Sequence, residues 1–323
     1  MKIEGHRFAV GGIVPVLGWI FFALQETWGS VWPRWLVASI GFVLIYVVFR
    51  RYFSSRKIQH TKKWNWRQFG YEVLFSFLML GVANFIGVAV RFLVNHGYAR
   101  ILHDPLSLAT VGTIAWQFAV YFVLFDIYFY FLHRLLHTKA LFWIHRVHHQ
   151  SRVPNPLSAF SFHPIEGLLT GGFVPIMVFF FDLHVYSIII VNLYGVINSV
   201  LVHSGHEFFP RWWYKRRTTG WYLSPMFHDR HHTRWNYNFG GFTTIWDRLL
   251  GTVYPAFFSD YDRHHERVAE ARLSNPSIAE GLLQRNVLPD GIEDVESGDR
   301  IDPESPADIG NTLPPAGGPG RSG

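Results

Sequence analysis

Six stretches of this chain, 8–24, 35–49, 73–90, 111–125, 168–181 and 185–202, contain no Asp, Glu, Lys or Arg. A helix needs about 20 apolar residues to cross the hydrocarbon core of a bilayer. The first, third and sixth stretches nearly reach that length alone. The second reaches it if Arg34 snorkels and Trp28 and Trp32 sit in the interface. The fourth continues past Asp126 through residues 127–132. The fifth is short and carries Gly171, Gly172 and Pro175; with the sixth it reads as a helical hairpin that enters and leaves on one side. Charged residues are only 16% of the chain and hydrophobic residues 49%, whereas a soluble domain carries about 25% charge. These features predict an all-α integral membrane protein with four transmembrane helices plus a helical hairpin.

The net charge of +6 is unevenly spread. Residues 1–258 hold 23 Lys/Arg against 10 Asp/Glu, and residues 259–323 hold 6 against 13. The basic residues flank apolar runs, which favours an anionic membrane surface over nucleic acid as the partner. Residues 50–67 carry seven Lys/Arg and no acid, so that loop is expected to be cytoplasmic. Counting spans from there places 133–149 and 203–258 in the cytoplasm. The first stretch lacks a following small-residue cleavage site and reads as a span, not a signal peptide. The chain has no Cys, which excludes disulfides, thiolate zinc sites and in-chain iron–sulfur clusters. The expected organisation is 1–110 for N-terminal transmembrane helices, 111–258 for a catalytic domain, 259–288 for an amphipathic segment and 289–323 for a Pro-, Gly- and Asp-rich disordered tail.

Twelve of the 18 histidines lie between residues 133 and 232, among only four acids. His133 and His137 stand at i, i+4. His145, His148 and His149 stand at i, i+3, i+4, and His228, His231 and His232 repeat that pattern. Residues three and four apart share a helix face, so each cluster is expected to aim its imidazoles at one point. Neighbouring imidazoles cannot all be protonated, because like charges depress one another's pKa; a metal takes the neutral nitrogens. Imidazole suits zinc, copper, iron and nickel. More histidines than one tetrahedral ion uses make two ions the economical count.

The segments HRLLH at 133–137, HRVHH at 145–149 and FHDRHH at 227–232 resemble the three histidine boxes of the fatty acid hydroxylase / sterol desaturase superfamily. DIYFYFLHRLLH, SAFSFHPIE, VHSGHE and TTIWDRLLGT resemble flanking family elements, and the likeness covers about 110–255. The resemblance implies a helical cytoplasmic cap carrying the boxes and a membrane-bound non-haem di-iron oxygenase. Such an enzyme uses O2 and two electrons to hydroxylate or desaturate a lipid: a sterol, another isoprenoid or a fatty-acyl chain. It implies His133, His137, His145, His148, His149, His203, His228, His231 and His232 as ligands of two iron ions.

His163 and His206 are possible further ligands or hydrogen-bond partners of ligands. A metal-bound imidazole commonly gives its other N–H to a carboxylate or carbonyl. Asp126, Glu166, Glu207, Asp229 and Asp247 are the carboxylates within reach in sequence. Asp126 lies two helical turns before His133 and interrupts an apolar span, where an acid is costly without a partner. Tyr130, three residues before His133, is the aromatic expected to face the site. The other histidines, His184 and His264 among them, are expected at the interface or in solvent.

No G-x-G-x-x-G fingerprint follows a strand and no fused cytochrome element is present. Electrons are therefore expected from an external NAD(P)H-linked carrier, a cytochrome b5-like protein or a ferredoxin with its reductase, docking on the basic cytoplasmic face. The alternative is a non-catalytic membrane protein that binds metal or lipid.

Overall fold

A computed structural model describes residues 55–59 and 65–274. The first and second apolar stretches and the acidic tail lie outside the described residues. Among those described, three helices are long and apolar enough to span a bilayer. They are α1 (Trp66–Asn95), α2 (Leu108–Leu136) and a third, α6 (Val185–Val202). Their outward side chains are large and exposed, including Leu74, Phe85, Trp116, Val123, Leu193 and Ile197. Apolar surface of this extent suits lipid contact, and the chain is a membrane protein.

The long helices begin at conventional caps. Asn65 accepts from the amides of Arg67 and Gln68 ahead of α1. Ser107 accepts from Thr110 ahead of α2. A side-chain acceptor at this position satisfies amides that have no intrahelical partner. α2 continues through the fourth apolar stretch and past Asp126 as one 29-residue helix.

The fifth stretch forms two helices, α4 (Pro164–Gly171) and α5 (Phe173–Phe180), joined at Gly172. Gly167 and Gly171 stand four apart on α4. A Cβ at either would run into Met79 or Ile86 of α1, so these small residues set how closely the two helices approach. Strand β1 (Ile101–Leu102) pairs in parallel with β2 (Leu183–His184), Ile101 opposite Leu183. The turn between α1 and α2 therefore lies beside the turn between α5 and α6. α2 and α6 both start there and run parallel, and their far ends carry His133 and His203.

Aromatic side chains fill the space between these helices. Tyr121, Phe125 and Tyr128 of α2 surround Phe173 of α5, with ring centroids 5.0–5.4 Å apart. Phe122 stacks on Phe242 at 5.2 Å. This belt packs helix against helix and against the loop before residue 245.

The cap comprises α3 (Phe142–His149), α7 (Pro225–Thr233), α8 (Ile245–Leu249) and α9 (Phe257–Leu273). On α9, Phe257, Tyr261, His264 and Val268 are buried at helical spacing, so this helix is amphipathic. Asp260 on its outer flank pairs with Arg230 of α7 at 2.7 Å. Residues 55–59 run antiparallel beside 205–207, with Ile58 N donating to Gly205 O and Glu207 N to Arg56 O. That strand-like contact ties the basic segment before α1 to the cap.

Candidate metal centre

Nine imidazoles meet where the far ends of α2 and α6 converge with α3 and α7. His133 lies in the last turn of α2 and His137 is its C-cap. His145, His148 and His149 come from α3, His203 caps the end of α6, and His228, His231 and His232 come from α7. All are buried except His137, which is half-buried. Their ring nitrogens form two groups, each with its atoms within 4.8 Å of one another. His133, His137, His145, His149 and His231 make one group; His148, His203, His228 and His232 make the other.

The three-member boxes therefore do not aim at one point, as their spacing had suggested. Each divides between two. The i, i+4 pairs 133/137, 145/149 and 228/232 stay together, while His148 and His231 join the opposite group. A helix advances about 100° per residue, so i+4 falls about 40° from i while i+3 falls about 60° to the other side. Two adjacent groups exploit that divergence.

Most rings are oriented from outside. The Nδ1 atoms of His133, His203 and His231 lie 2.7–2.8 Å from the carbonyls of Phe239, Ser199 and Tyr237. His148 Nδ1 lies 3.3 Å from Ser161 O. His145 Nδ1 lies 2.7 Å from Glu166 Oε1. Carbonyls only accept, so the Nδ1 atoms of His133, His148, His203 and His231 carry the protons and their Nε2 atoms are bare; Glu166, when ionised, fixes His145 in the same tautomer.

Yet His133 Nε2 and His145 Nε2 stand 3.0 Å apart, and His148 Nε2 and His203 Nε2 stand 3.2 Å apart. Two lone pairs facing each other at that distance repel unless a cation lies between them. One such pair belongs to each group. Nitrogens bound at right angles to one ion, with bonds of about 2.1 Å, would be about 3.0 Å apart. His231 Nε2 is also buried without a hydrogen bond. This donor set fits one metal ion per group.

Burial disfavours protonation of these rings, and neighbouring imidazoles disfavour it further. His145, His148, His149, His228, His231 and His232 are held well below the ordinary histidine range. His203 is lowered to about 4 and His137 to about 2, burial again being the main cause. In an unfolded chain these rings titrate near about 6.5. Above that pH neither state takes up protons. As pH falls through 6.5, only the unfolded chain does, so stability falls with it. Metal-free protein is accordingly expected to unfold at progressively lower temperature between pH 7 and pH 5, checked by thermal unfolding in detergent. A flat profile would mean the rings are not buried together.

The carboxylates take distinct positions. Glu166 touches an imidazole of the five-histidine group, that of His145. Changing Glu166 to Gln keeps its size but removes the charged acceptor. Loss of such a partner costs about 10–100-fold in metal affinity, expected in the five-histidine group and measurable by chelator competition.

Among the described residues Asp126 has no histidine partner. Its oxygens accept from Phe242 N, Thr243 N, the Thr243 hydroxyl and Trp246 Nε1. Its cost inside the apolar helix is met by the loop it anchors. Asp247, pushed up to about 6 by burial, accepts from Phe239 N, Gly240 N and the Thr252 hydroxyl. Glu207, raised to about 7 by burial, accepts from Phe209 N and Met226 N. Asp229 meets Gln59 and Arg230.

His163 and His206 lie outside both groups. His163 caps α4, accepting from Ile165 N, and its ring meets Trp143. His206 Nδ1 lies 2.7 Å from Ser204 O. Tyr130 is buried behind the site, its hydroxyl 2.9 Å from that of Thr252. It meets Phe239 and Trp246 and faces the supporting loop. His184 and His264, expected near solvent, are buried. His184 caps α6 with Nε2 at 3.1 Å from Asp104 O, and His264 lies on the inner face of α9.

Asn238 was not singled out by sequence pattern. It is fully buried with φ of 60°, a left-handed conformation that Asn tolerates better than most residues. Its side chain bonds Phe227 O and Tyr254 N. The carbonyls on either side, of Tyr237 and Phe239, are those that orient His231 and His133.

Residues 118–252 match the family model for fatty acid hydroxylase. Human lathosterol oxidase is 29% identical over 191 residues, covering 56% of this chain and 60% of the relative. A Delta(7)-sterol 5(6)-desaturase of Eremothecium gossypii is 34% identical over 167 residues, 49% of this chain and 43% of the relative. That of Candida dubliniensis is 25% identical over 247 residues, 73% of this chain and 55% of the relative. The chain thus spans less than two thirds of the length of these relatives. No solved structure matches it. With the boxes in order, their histidines gathered and the matched region containing every one of them, residues 118–252 carry the features of the fatty acid hydroxylase / sterol desaturase superfamily.

Proposed function

We propose that this protein is a membrane-bound di-iron oxidoreductase that desaturates or hydroxylates a lipid with O2, a sterol or related polycyclic isoprenoid being the favoured class. One observation carries the reading most: two buried all-imidazole groups, each containing a pair of bare nitrogens in contact. The curated relatives named for sterol oxidation favour the substrate class.

His133, His137, His145, His149 and His231 would hold one iron, and His148, His203, His228 and His232 the other. Bound there, iron supplies the oxidising power toward an unactivated C–H bond that side chains lack. The chain's own part is to fix the rings and keep water out. Backbone carbonyls and Glu166 hold each oriented ring by its Nδ1 proton. Asp126 and Asp247 pin the 239–243 loop over the five-histidine group. Neutral ligands with no carboxylate in either group leave the site cationic, suited to anions derived from O2.

The bilayer delivers the substrate, since the site lies at the ends of α2 and α6. We place the centre on the cytoplasmic side, following the basic segment before α1. Electrons come from an external acidic carrier, a cytochrome b5-like protein or a ferredoxin, steered by basic cap residues; raising salt should slow its reduction of the centre. The test is lipid profiling of cells with and without the gene under labelled O2. A lipid that gains a double bond or labelled oxygen only when the gene is present is expected. Identical profiles would contradict the reading.

A further inference from the structure

The cap carries a cationic groove to which the proposed chemistry gives no named role. Lys215, Arg216, Arg217, Trp221 and Arg248 line a groove of about 200 Å³ between the 214–221 loop and α8, with no acid in its lining. Arg248 is fixed there, donating Nε to the Thr244 hydroxyl and Nη2 to Gly220 O. Arg216 lies over the Trp212 ring at 4.9 Å. Among the described residues Lys215 pairs distantly, with Asp262 at 3.5 Å.

Depth identifies what this groove meets. The Trp221 ring contacts Phe122 of α2 at 6.5 Å. α2 has 29 residues and is about 44 Å long, against a hydrocarbon core of about 30 Å. If its first residue lies at the far surface, the near boundary of hydrocarbon falls around residue 127. Phe122, and Trp221 with it, then lie just on the membrane side of that boundary. Exposed apolar side chains flank Arg248: Ile245, Leu249 at 69% exposure and Leu250 in sequence, and Phe258 beneath its guanidinium. Tryptophan and apolar surface at this depth, rimmed by cations, match a leaflet surface. A soluble acidic protein would not reach below the headgroups to the level of Trp221.

We infer that this groove binds the phosphate headgroup of an anionic phospholipid, seating α8 and the 212–221 loop on the leaflet next to the metal centre. The full-length protein is placed in nanodiscs of phosphatidylcholine or of an equal mixture with phosphatidylglycerol, then washed in detergent. Retained lipid is read by mass spectrometry. Wild-type protein should retain phosphatidylglycerol over phosphatidylcholine. Each basic residue near an anionic surface contributes about 1 kcal/mol, so Arg216→Gln/Arg217→Gln should lower that ratio roughly thirtyfold. Lys215→Gln alone should lower it less.

Both arginines are exposed, and an unchanged unfolding temperature confirms that the variant is folded. Equal ratios in wild type and the double variant would overturn the inference. So would a variant that keeps its phosphatidylglycerol but loses binding of an acidic soluble carrier. Retention needs neither metal nor turnover, so its failure would leave the proposed reaction untouched.

Discussion

Replacing His231 with Ala is expected to yield protein holding about one metal ion per chain where the unaltered protein holds about two. His231 reaches the five-histidine group from α7, and its Nε2 is buried with nothing else to bond. Removing it takes away the only ligand that α7 contributes to that group. Activity should fall by more than the about 10–100-fold that loss of an outer hydrogen-bond partner brings. His228→Ala should empty the other group instead, because His228 belongs with His148, His203 and His232. His184→Ala is the control: the ring is buried but outside both groups, and both ions should remain. Elemental analysis of the three purified variants separates these outcomes. Equal metal content in all three would mean that the grouping does not describe metal binding.

Asp126→Ala is expected to be the most destabilising carboxylate substitution. It would strand two backbone amides, a hydroxyl and an indole N–H in a buried site. An unsatisfied buried donor costs about 1–3 kcal/mol, so a total on the order of 3 kcal/mol or more is expected, read as a lower unfolding temperature in detergent. The damage should spread to the metal centre, because the 239–243 loop that Asp126 anchors supplies the carbonyl orienting His133. Asp126→Asn should be milder, since one of its two acceptor positions survives. If Asp126→Ala unfolds like the wild type, the loop is held elsewhere.

Much of this was legible in the sequence, because hydrophobic runs and histidine spacing report local geometry directly. The third, fourth and sixth apolar stretches became α1, α2 and α6, since uncharged runs of that length have one stable form in a bilayer. All nine histidines expected as ligands lie in the two groups. The division of each three-member box was also present in the spacing, in the different angles of i+3 and i+4, but one shared target looked simpler.

What escaped was long-range. The partners of Asp126 lie 116 to 120 residues away in sequence, so its two-turn offset from His133 suggested a nearer partner that it does not have. The ring orientations depend on the carbonyls of Ser161, Ser199, Tyr237 and Phe239, which leave no mark on side-chain identity. Asn238 carries a weak signal, being an Asn in the loop that follows the third box, but only its positive φ reveals why it is there. The burial of His184 and His264 follows from capping and helix-face packing, which counting histidines does not reveal.

The two-iron imidazole centre is tested most directly by the X-ray absorption spectrum of the iron-loaded, purified protein at the metal edge. About two irons per chain are expected, each with a coordination shell dominated by imidazole nitrogen and the outer-ring scattering that imidazole produces. Iron bound mainly through oxygen, without that outer-ring signal, would contradict it.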